Sequence, residues 1–431
     1  MNIAVIGADA ESVHAIRIMH RLGHRVIVVD QNKNAAGAKE ADLHISIDIS
    51  HEDEVISALK KENIDYVFTT PIGRHLNTIG AVNDALGLPG IGRDTAVLCT
   101  DKYAFHNRLR NVKLRSGHCY LVNSSTPVNP GQISYPAVFK PRYGSHGRSV
   151  HYLENADEFA TLLDDIWGMH EEYDYSIDSN VSAQEFARDV KQAMEQHQKK
   201  ASLEDDPNDD YIIEDAIVGT EYAVDGVVEG CNFEMMLIRR KELTPPPYRQ
   251  ALSYMVMMPG EDARIEKVIR EYMGRICEVL GFKDCFLHTD VCILGHQINA
   301  IEMSASPAGR HVYDELIPMA TGIDPTEQLL RYIAGEAHCF QPLNMKRMLL
   351  QYFDAEHCFV HGIPEKDEVA ALLPEGVRLR SWECKMKLLD YLGSINDEKS
   401  LLDRGYFIIE GKNERLLDEA VDIIRNSFDF K

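Results

Sequence analysis

A chain of 431 residues is too long for a single hydrophobic core, which predicts two to four domains. Its apolar share of 45% is that of an ordinary globular protein, and no run of about 18 apolar residues offers a membrane span. The net charge of −23 argues against nucleic-acid or anionic-membrane partners, whose phosphates would be repelled.

The first residues, MNIAVIGADAE, are apolar, lack a basic segment and reach an acid at Asp9. They read as a buried first strand and not as a signal peptide. The nine cysteines are scattered without a CxxC pair, which suits free core thiols in a reducing cytoplasm. From this strand to residue 95 the chain alternates strand and helix: NIAVIG, ESVHAIRIMHRLG, HRVIVVD, DEVISALKKEN, IDYVFTT, LNTIGAVNDALGLPG. Such a series predicts a parallel sheet. Gly7 and Asp30 suggest a dinucleotide fingerprint, but GxGxxG is not met, and Asp9 would face a pyrophosphate badly. The sequence favours a plain strand-turn-helix, with Asp30 capping a strand end.

Residues 94–110 read as one capped helix. The runs HCYLV, YPAVFK and RSVHYL read as strands, and DEFATLLDDIWGM as a helix. A polar, acidic insertion follows over about 171–210. Four strand-like runs come next (YIIEDAIV, EYAVDGVVEG, CNFEMMLIRR, YRQALSYMVMMP), then an amphipathic helix from Glu261 to Gly281. CFLHTDVCIL and QINAIEMSA form a hairpin around Gly295, and DPTEQLLRYIAG a helix. The remainder, with GYFIIEG and NERLLDEAVDIIRNSF, reads as a small α+β lobe.

Three constellations carry chemistry. Asp290 and Glu302 stand on the two strands of the hairpin and meet if they share a face; two facing carboxylates call for a cation such as Mg²⁺. The plain alternative is a pair of surface acids. Glu214, Asp215 and Glu221 flank Gly219 at a strand end, where acids accept from amino groups or ribose hydroxyls; the alternative is a charged turn. The cations Lys102, Lys140, Lys241, Arg239, Arg240 and Arg310 lie near strand ends or loops, and convergence on one polyphosphate would explain them. For Arg239 and Arg240, solvated surface is the favoured reading.

In this order the motifs resemble the ATP-grasp superfamily: Asp101-Lys102, a strand ending in Lys140 before the loop Gly144 to Gly147, the hinge Glu214 to Glu221, then Asp290 and Glu302. HTD, AIEMSASPAG and ATGIDPTEQLL look most like its amino-acid ligases. The resemblance implies an α/β (α+β) ATP-grasp fold. A Rossmann-like domain would occupy 1–98, an ATP-grasp domain 99–335 with a flap-bearing subdomain over about 118–217, and a small C-terminal lobe 336–431. It implies ATP and Mg²⁺, with Mn²⁺ able to substitute. Lys102, Lys140, Gly144, Ser145 and Gly147 would contact the phosphates. Glu214, Asp215 and the backbone of Ile217 would meet adenine, and Glu221 the ribose. Asp290, Glu302 and Ser304 would hold the metal, and Lys241, His288 and Arg310 would act on the transferred phosphate. Many relatives carry E-x-N-x-R where this chain has Glu302-Met303-Ser304-Ala305-Ser306, so Arg310 is expected to reach back for the missing arginine.

The activity implied is ADP-forming carboxylate–amine ligation in the cytoplasm, on amino acids or small carboxylic acids. A homodimer stays open, and Arg74 and His75 are further candidates for carboxylate binding. Two alternatives stand beside it: a biotin carboxylase-like or purine-pathway enzyme using bicarbonate or formate, and a nucleotide-binding regulatory protein without turnover.

Overall fold

The computed structural model describes residues 1–71, 75–123, 128–144, 149–167 and 210–431. Arg74, Ser145, His146, Gly147 and the acidic insertion up to residue 209 lie outside the described residues. The chain divides into two compact units. One is Met1–Ser116, Ile217–Thr244 and Gln250–Lys431; the other is Gly117–Ala216 and Pro245–Arg249.

The first unit opens with β1 (Asn2–Ile6), β2 (Arg25–Val29), β3 (Leu43–Ile45) and β4 (Tyr66–Phe68). They pair in parallel in the order β3-β2-β1-β4. Ile3 to Ile6 and Val26 to Val29 have no exposed surface. This burial on both faces is why these strands read as unbroken apolar runs. Asp30 stands at the C-terminal end of β2 as a strand-end acid: its Oδ2 accepts the Ala8 N–H at 2.8 Å. The helix predicted over 94–110 is two helices, Arg93–Thr100 and Lys102–Asn111. Asp101 breaks it, leaving helical φ/ψ (−107°, 98°) and accepting the Ala104 N–H at its carboxylate. An aspartate competes with the helix backbone in this way and caps the next helix.

A second sheet in this unit is antiparallel and eight-stranded. Its members are β9 (Thr220–Glu229), β10 (Asn232–Leu243), β11 (Ala251–Val256), β12 (Cys285–Leu294), β13 (Gln297–Ser304), β14 (Met348–Tyr352), β16 (Arg378–Cys384) and β18 (Gly405–Glu410). The order is β13-β12-β9-β10-β11-β14-β18-β16, so three strands from the C-terminal ninety-odd residues extend the sheet that β9 to β13 begin. One face packs on the helix Ala263–Leu280, whose Ile269, Met273 and Ile276 are fully buried against Val224, Ile238 and Val291. Asp262 caps this helix through the Arg264 and Ile265 N–H groups, and Gly281 ends it in the left-handed region. A smaller sheet, in the order β17-β15-β19, joins β15 (Cys358–Gly362), β17 (Tyr391–Leu392) and β19 (Asp429–Phe430).

A polar tie joins β18 to the segment after β13. The Tyr406 hydroxyl donates to Glu315 Oε1 at 2.7 Å, and the His311 ring stacks on Tyr406 with centroids 4.3 Å apart. His311 Nδ1 lies 3.1 Å from the same carboxylate. Burial alone would raise the Glu315 carboxyl, but hydrogen bonds from His311, Ser381 and Tyr406 outweigh it and bring it down to about 2.

The second unit is a four-stranded antiparallel sheet of β5 (Cys119–Val122), β6 (Ala137–Pro141), β7 (His151–Leu153) and β8 (Tyr211–Asp215), in the order β5-β8-β6-β7. The helix Ala156–Trp167 covers it through Phe159 and Leu163, against Phe139, Leu153 and Ile213. No helix of the described residues is long and apolar enough to cross a membrane.

Two outcomes are expected. Ile276→Ala should cost about 2–5 kcal/mol in chemical denaturation, whereas Lys267→Ala, which breaks only an exposed pair with Glu271, should change stability by less than about 0.5 kcal/mol. A depressed folded-state carboxyl stabilises above its unfolded value and loses that stabilisation as pH falls through the folded one. Glu315→Gln should therefore lower the denaturation midpoint near neutrality, with the difference from the parent closing as pH falls from about 4.5 to about 2. A constant offset over that window would remove the charge argument.

Candidate functional site

Alternate residues of a strand share a face, and the register of the large sheet gathers one charged face in the first unit. Glu221 and Asp225 come from β9, Arg239 and Lys241 from β10, His288 and Asp290 from β12, and Glu302 and Ser304 from β13. Asp290 stands directly opposite Glu302, and His288 opposite both Ser304 and Asp225. Gly219 lets β9 begin close against β12: a Cβ there would lie 2.4 Å from the Ile293 carbonyl oxygen. The Ile217 carbonyl just before it accepts from the Cys292 thiol at 3.7 Å.

Lys241 is the cation of this face. Its Nζ lies 2.5 Å from Asp290 Oδ2 and 3.8 Å from Glu221 Oε2, with both Lys241 and Asp290 side chains less than a tenth exposed. Burial alone would lower the ammonium, but Asp290, Tyr254 and Glu221 outweigh it and raise it above the ordinary lysine value. Burial likewise would raise the Asp290 carboxyl, yet Lys241, then His288, hold it below the usual range. The pair is charged, and neither member can lose the other cheaply.

Next to it, Arg239 is a correction to the surface expected from sequence: it is 1% exposed, its guanidinium lying over the Tyr254 ring at 4.5 Å. Its Nε donates to Asp225 Oδ2 at 2.8 Å, and its Nη2 is also 2.8 Å from that oxygen. The strand alternation explains the difference from Arg240, which faces the other way and pairs with Glu414 at 2.8 Å with 45% of its side chain exposed. Asp225 Oδ1 in turn lies 2.9 Å from His288 Nδ1. Burial would raise the Asp225 carboxyl, and the charges of Arg239 and His288 bring it below its ordinary value instead.

Asp290 Oδ1 is buried and accepts no hydrogen bond among the described residues; His288 Nε2 is 3.7 Å away. Opposite, Glu302 is exposed. One buried orphan oxygen, a facing carboxylate and the Ser304 hydroxyl make a set of hard oxygen donors, which fits Mg²⁺. Ser304 Oγ is 2.7 Å from Ser306 Oγ. The Arg310 side chain does not reach back to stand in for an arginine at Ser306: its guanidinium pairs with the buried Glu398. The reason is local backbone geometry. Arg310 and His311 are both left-handed (φ 61° and 64°), and the Arg310 N–H donates to Glu11 Oε1 at 2.6 Å. Gly309 is needed there, because a Cβ would lie 2.9 Å from that same oxygen.

In the second unit, Lys140 at the end of β6 pairs with Glu214 on β8 at 2.7 Å, both side chains almost fully buried. Asp215 Oδ2 accepts the His118 N–H at 2.9 Å and lies 3.1 Å from His118 Nδ1. Gly144 follows the strand; Ser145 and Gly147 lie outside the described residues. In the first unit, Lys102 opens the helix that Asp101 caps, and His75 precedes the helix Leu76–Leu86. The sequence reading missed Asp225, Tyr254 and Arg239 as parts of the charged face. The available signal was parity: Asp225 is four residues after Glu221, and Arg239 two before Lys241.

Residues 173–314 match the family model of the ATP-grasp domain. No curated protein matches the sequence. Among solved structures, the L-amino acid ligase of Bacillus licheniformis is 16% identical with a TM-score of 0.69, the match covering 100% of this chain and 98% of that one. The N5-carboxyaminoimidazole ribonucleotide synthetase of Thermotoga maritima is 15% identical at 0.64, covering 100% and 99%. The biotin carboxylase domain of the Hydrogenobacter thermophilus 2-oxoglutarate carboxylase, solved with MgADP, ADP and bicarbonate, is 13% identical at 0.59, covering 100% and 90%. The chain thus has the ATP-grasp fold, and its residues 173–314 match the ATP-grasp domain family.

Proposed function

We propose that the chain is an ATP-dependent carboxylate–amine ligase that makes an amide or peptide bond through an acyl phosphate and releases ADP and phosphate. The observation that carries this reading is the Asp290–Glu302 pair with the buried orphan oxygen of Asp290, set beside Lys241 on an ATP-grasp fold.

A substrate carboxylate oxygen attacks the γ-phosphorus, and the bond from that phosphorus to the ADP oxygen breaks. An amine lone pair then attacks the acyl carbon, phosphate leaves with its electron pair, and the amine loses a proton. The first step brings two anions together, so catalysis is mainly positioning and charge stabilisation. Mg²⁺, or Mn²⁺, held by Asp290, Glu302 and Ser304, would supply charge at the phosphates. Lys241 adds a fixed positive charge, and His288 stands beside the transferred group. Lys102 and Lys140 bind phosphate; Glu214, Asp215 and the Ile217 backbone meet adenine, and Glu221 the ribose. Gly144, and on the sequence reading Ser145 and Gly147, contact the phosphates. Arg310, committed to Glu398, is left out of the phosphate contacts. The carboxylate is an amino acid or a simple carboxylic acid, and the amine is an amino acid.

Steady ADP release requiring both an added acid and an added amine, in a screen of such pairs, is the expected result. Release on bicarbonate alone would favour the carboxylase-like rival, to which the bicarbonate-bound neighbour gives some support. No release with any pair would sink the ligase reading. Glu302→Ala should cut turnover roughly 100-fold or more with the far-UV spectrum unchanged; full activity would remove the metal assignment. Lys140→Ala should weaken nucleotide binding by roughly tenfold or more in calorimetry, and unchanged affinity would count against its phosphate role.

A further inference from the structure

Arg239 and Asp225 are not themselves among the groups assigned to substrate, nucleotide or metal. Yet they form a fully buried ion pair at the centre of the charged face, 1% and 4% exposed. Burying such a pair gains little stability over apolar residues of similar size, because desolvation offsets most of the attraction. Its geometry points to another use. Both oxygens of Asp225 are committed: Oδ2 faces two nitrogens of Arg239, and Oδ1 faces His288 Nδ1 at 2.9 Å. An ionised carboxylate only accepts hydrogen bonds, so the ring proton is held on Nδ1. That leaves Nε2 turned to the Asp290 side, 3.7 Å from the orphan Oδ1. Each participant is anchored by strand register: His288 pairs with Asp225 across β12 and β9, and Arg239 with Val256 across β10 and β11. The Tyr254 ring fixes the guanidinium plane. Side chains locked this way on rigid strands hold a neighbouring group to the tolerance chemistry needs.

We propose that Asp225 and Arg239 are positioning residues that act through His288, fixing its tautomer and ring plane so that the Nε2 lone pair is held toward the site beside Asp290, where it can accept a proton. The inference rests on the ligase reading for what Nε2 meets, and on geometry alone for the tautomer. Carboxylates that orient a histidine in this way typically change activity by about 10–100-fold when removed.

The test begins on the unliganded full chain with ring-¹⁵N-labelled histidine. The His288 signals are assigned by their loss in His288→Gln. NMR should show the proton on Nδ1; a proton on Nε2 alone would overturn the proposal with no further variant. Asp225→Asn keeps the shape but turns an amide N–H₂ toward Nδ1, so the proton should move to Nε2. With the acid and amine found by the ADP-release screen, this variant should lose about 10–100-fold in kcat while KM for ATP stays within about twofold. The double variant Asp225→Asn, His288→Gln should be no slower than His288→Gln alone, since both act through one ring. Full kcat in Asp225→Asn, or losses that multiply in the double variant, would overturn it. If Asp225→Asn fails to fold, Arg239→Lys keeps the charge without the two-nitrogen grip and should show a smaller kcat loss of the same kind; unchanged kcat there would overturn it as well. A parent protein that releases no ADP with any pair would refute the ligase reading, and the tautomer result would still decide the positioning claim.

Discussion

Charge buried in a sheet must meet its counter-charge within the same sheet, and most of what the first unit can do depends on that. Water screens an ion pair about fourfold better than a protein interior does, so the partners on the face of β9, β10, β12 and β13 are strongly coupled. Lys241 is set on Asp290, Arg239 on Asp225, and His288 stands between the two carboxylates. The strand alternation leaves no second arrangement: shifting any strand by one residue would send its charges into the apolar side that packs on the helix Ala263–Leu280. The register is thus specified by electrostatics on one face and by hydrophobic packing on the other.

A consequence for ligand binding follows from the pairing. On the proposed reading, Lys241 and Lys140 are both needed by phosphates, yet each is neutralised by a carboxylate in the structure. A dication entering at Asp290 Oδ1 would share that carboxylate with Lys241 and weaken its hold on the ammonium. Nucleotide phosphate and metal binding should then favour each other, because each relieves a charge that the other leaves exposed. Lys140 has no such metal beside it among the assigned ligands; its release from Glu214 depends on what the nucleotide offers that acid, and an exocyclic amino group is a suitable donor.

The parts of this arrangement that were legible in the sequence are those with local signatures. The hairpin of β12 and β13 is marked by two apolar runs around Gly295, which puts Asp290 and Glu302 on neighbouring strands; that they stand directly opposite depends on a register shift after Asp290, which has no local signature. β1 and β2 are marked by apolar runs ending in Gly7 and Asp30, and β4 by the run IDYVFTT, whereas the short β3 (Leu43–Ile45) has no such run and was not legible. Arg239 was passed over although its parity with Lys241 put it on the same face, because a charged residue is far more often solvated than buried and its partner lies on another strand. The break at Asp101 was missed for a related reason: the residues on both sides favour helix, and only the side-chain hydrogen bond to the Ala104 N–H decides against it. The engagement of Arg310 by Glu398 joins distant segments, and no spacing rule reaches that far.

That last contact bears on how an acid substrate would be held. The loop from Ser306 to His311 contributes no arginine at Ser306, and its one arginine is turned to Glu398 while its backbone is fixed by Glu11. On the proposed reading, this loop therefore offers an acyl phosphate no arginine. The positive charge that offsets the meeting of two anions would come from the metal, from Lys102 and Lys140, and from the strand-borne Lys241. Strand-borne groups have little freedom to adjust to a substrate. Where a mobile arginine could find its own geometry, His288 has to be aimed in advance, and the buried Arg239–Asp225 pair behind it is suited to do that.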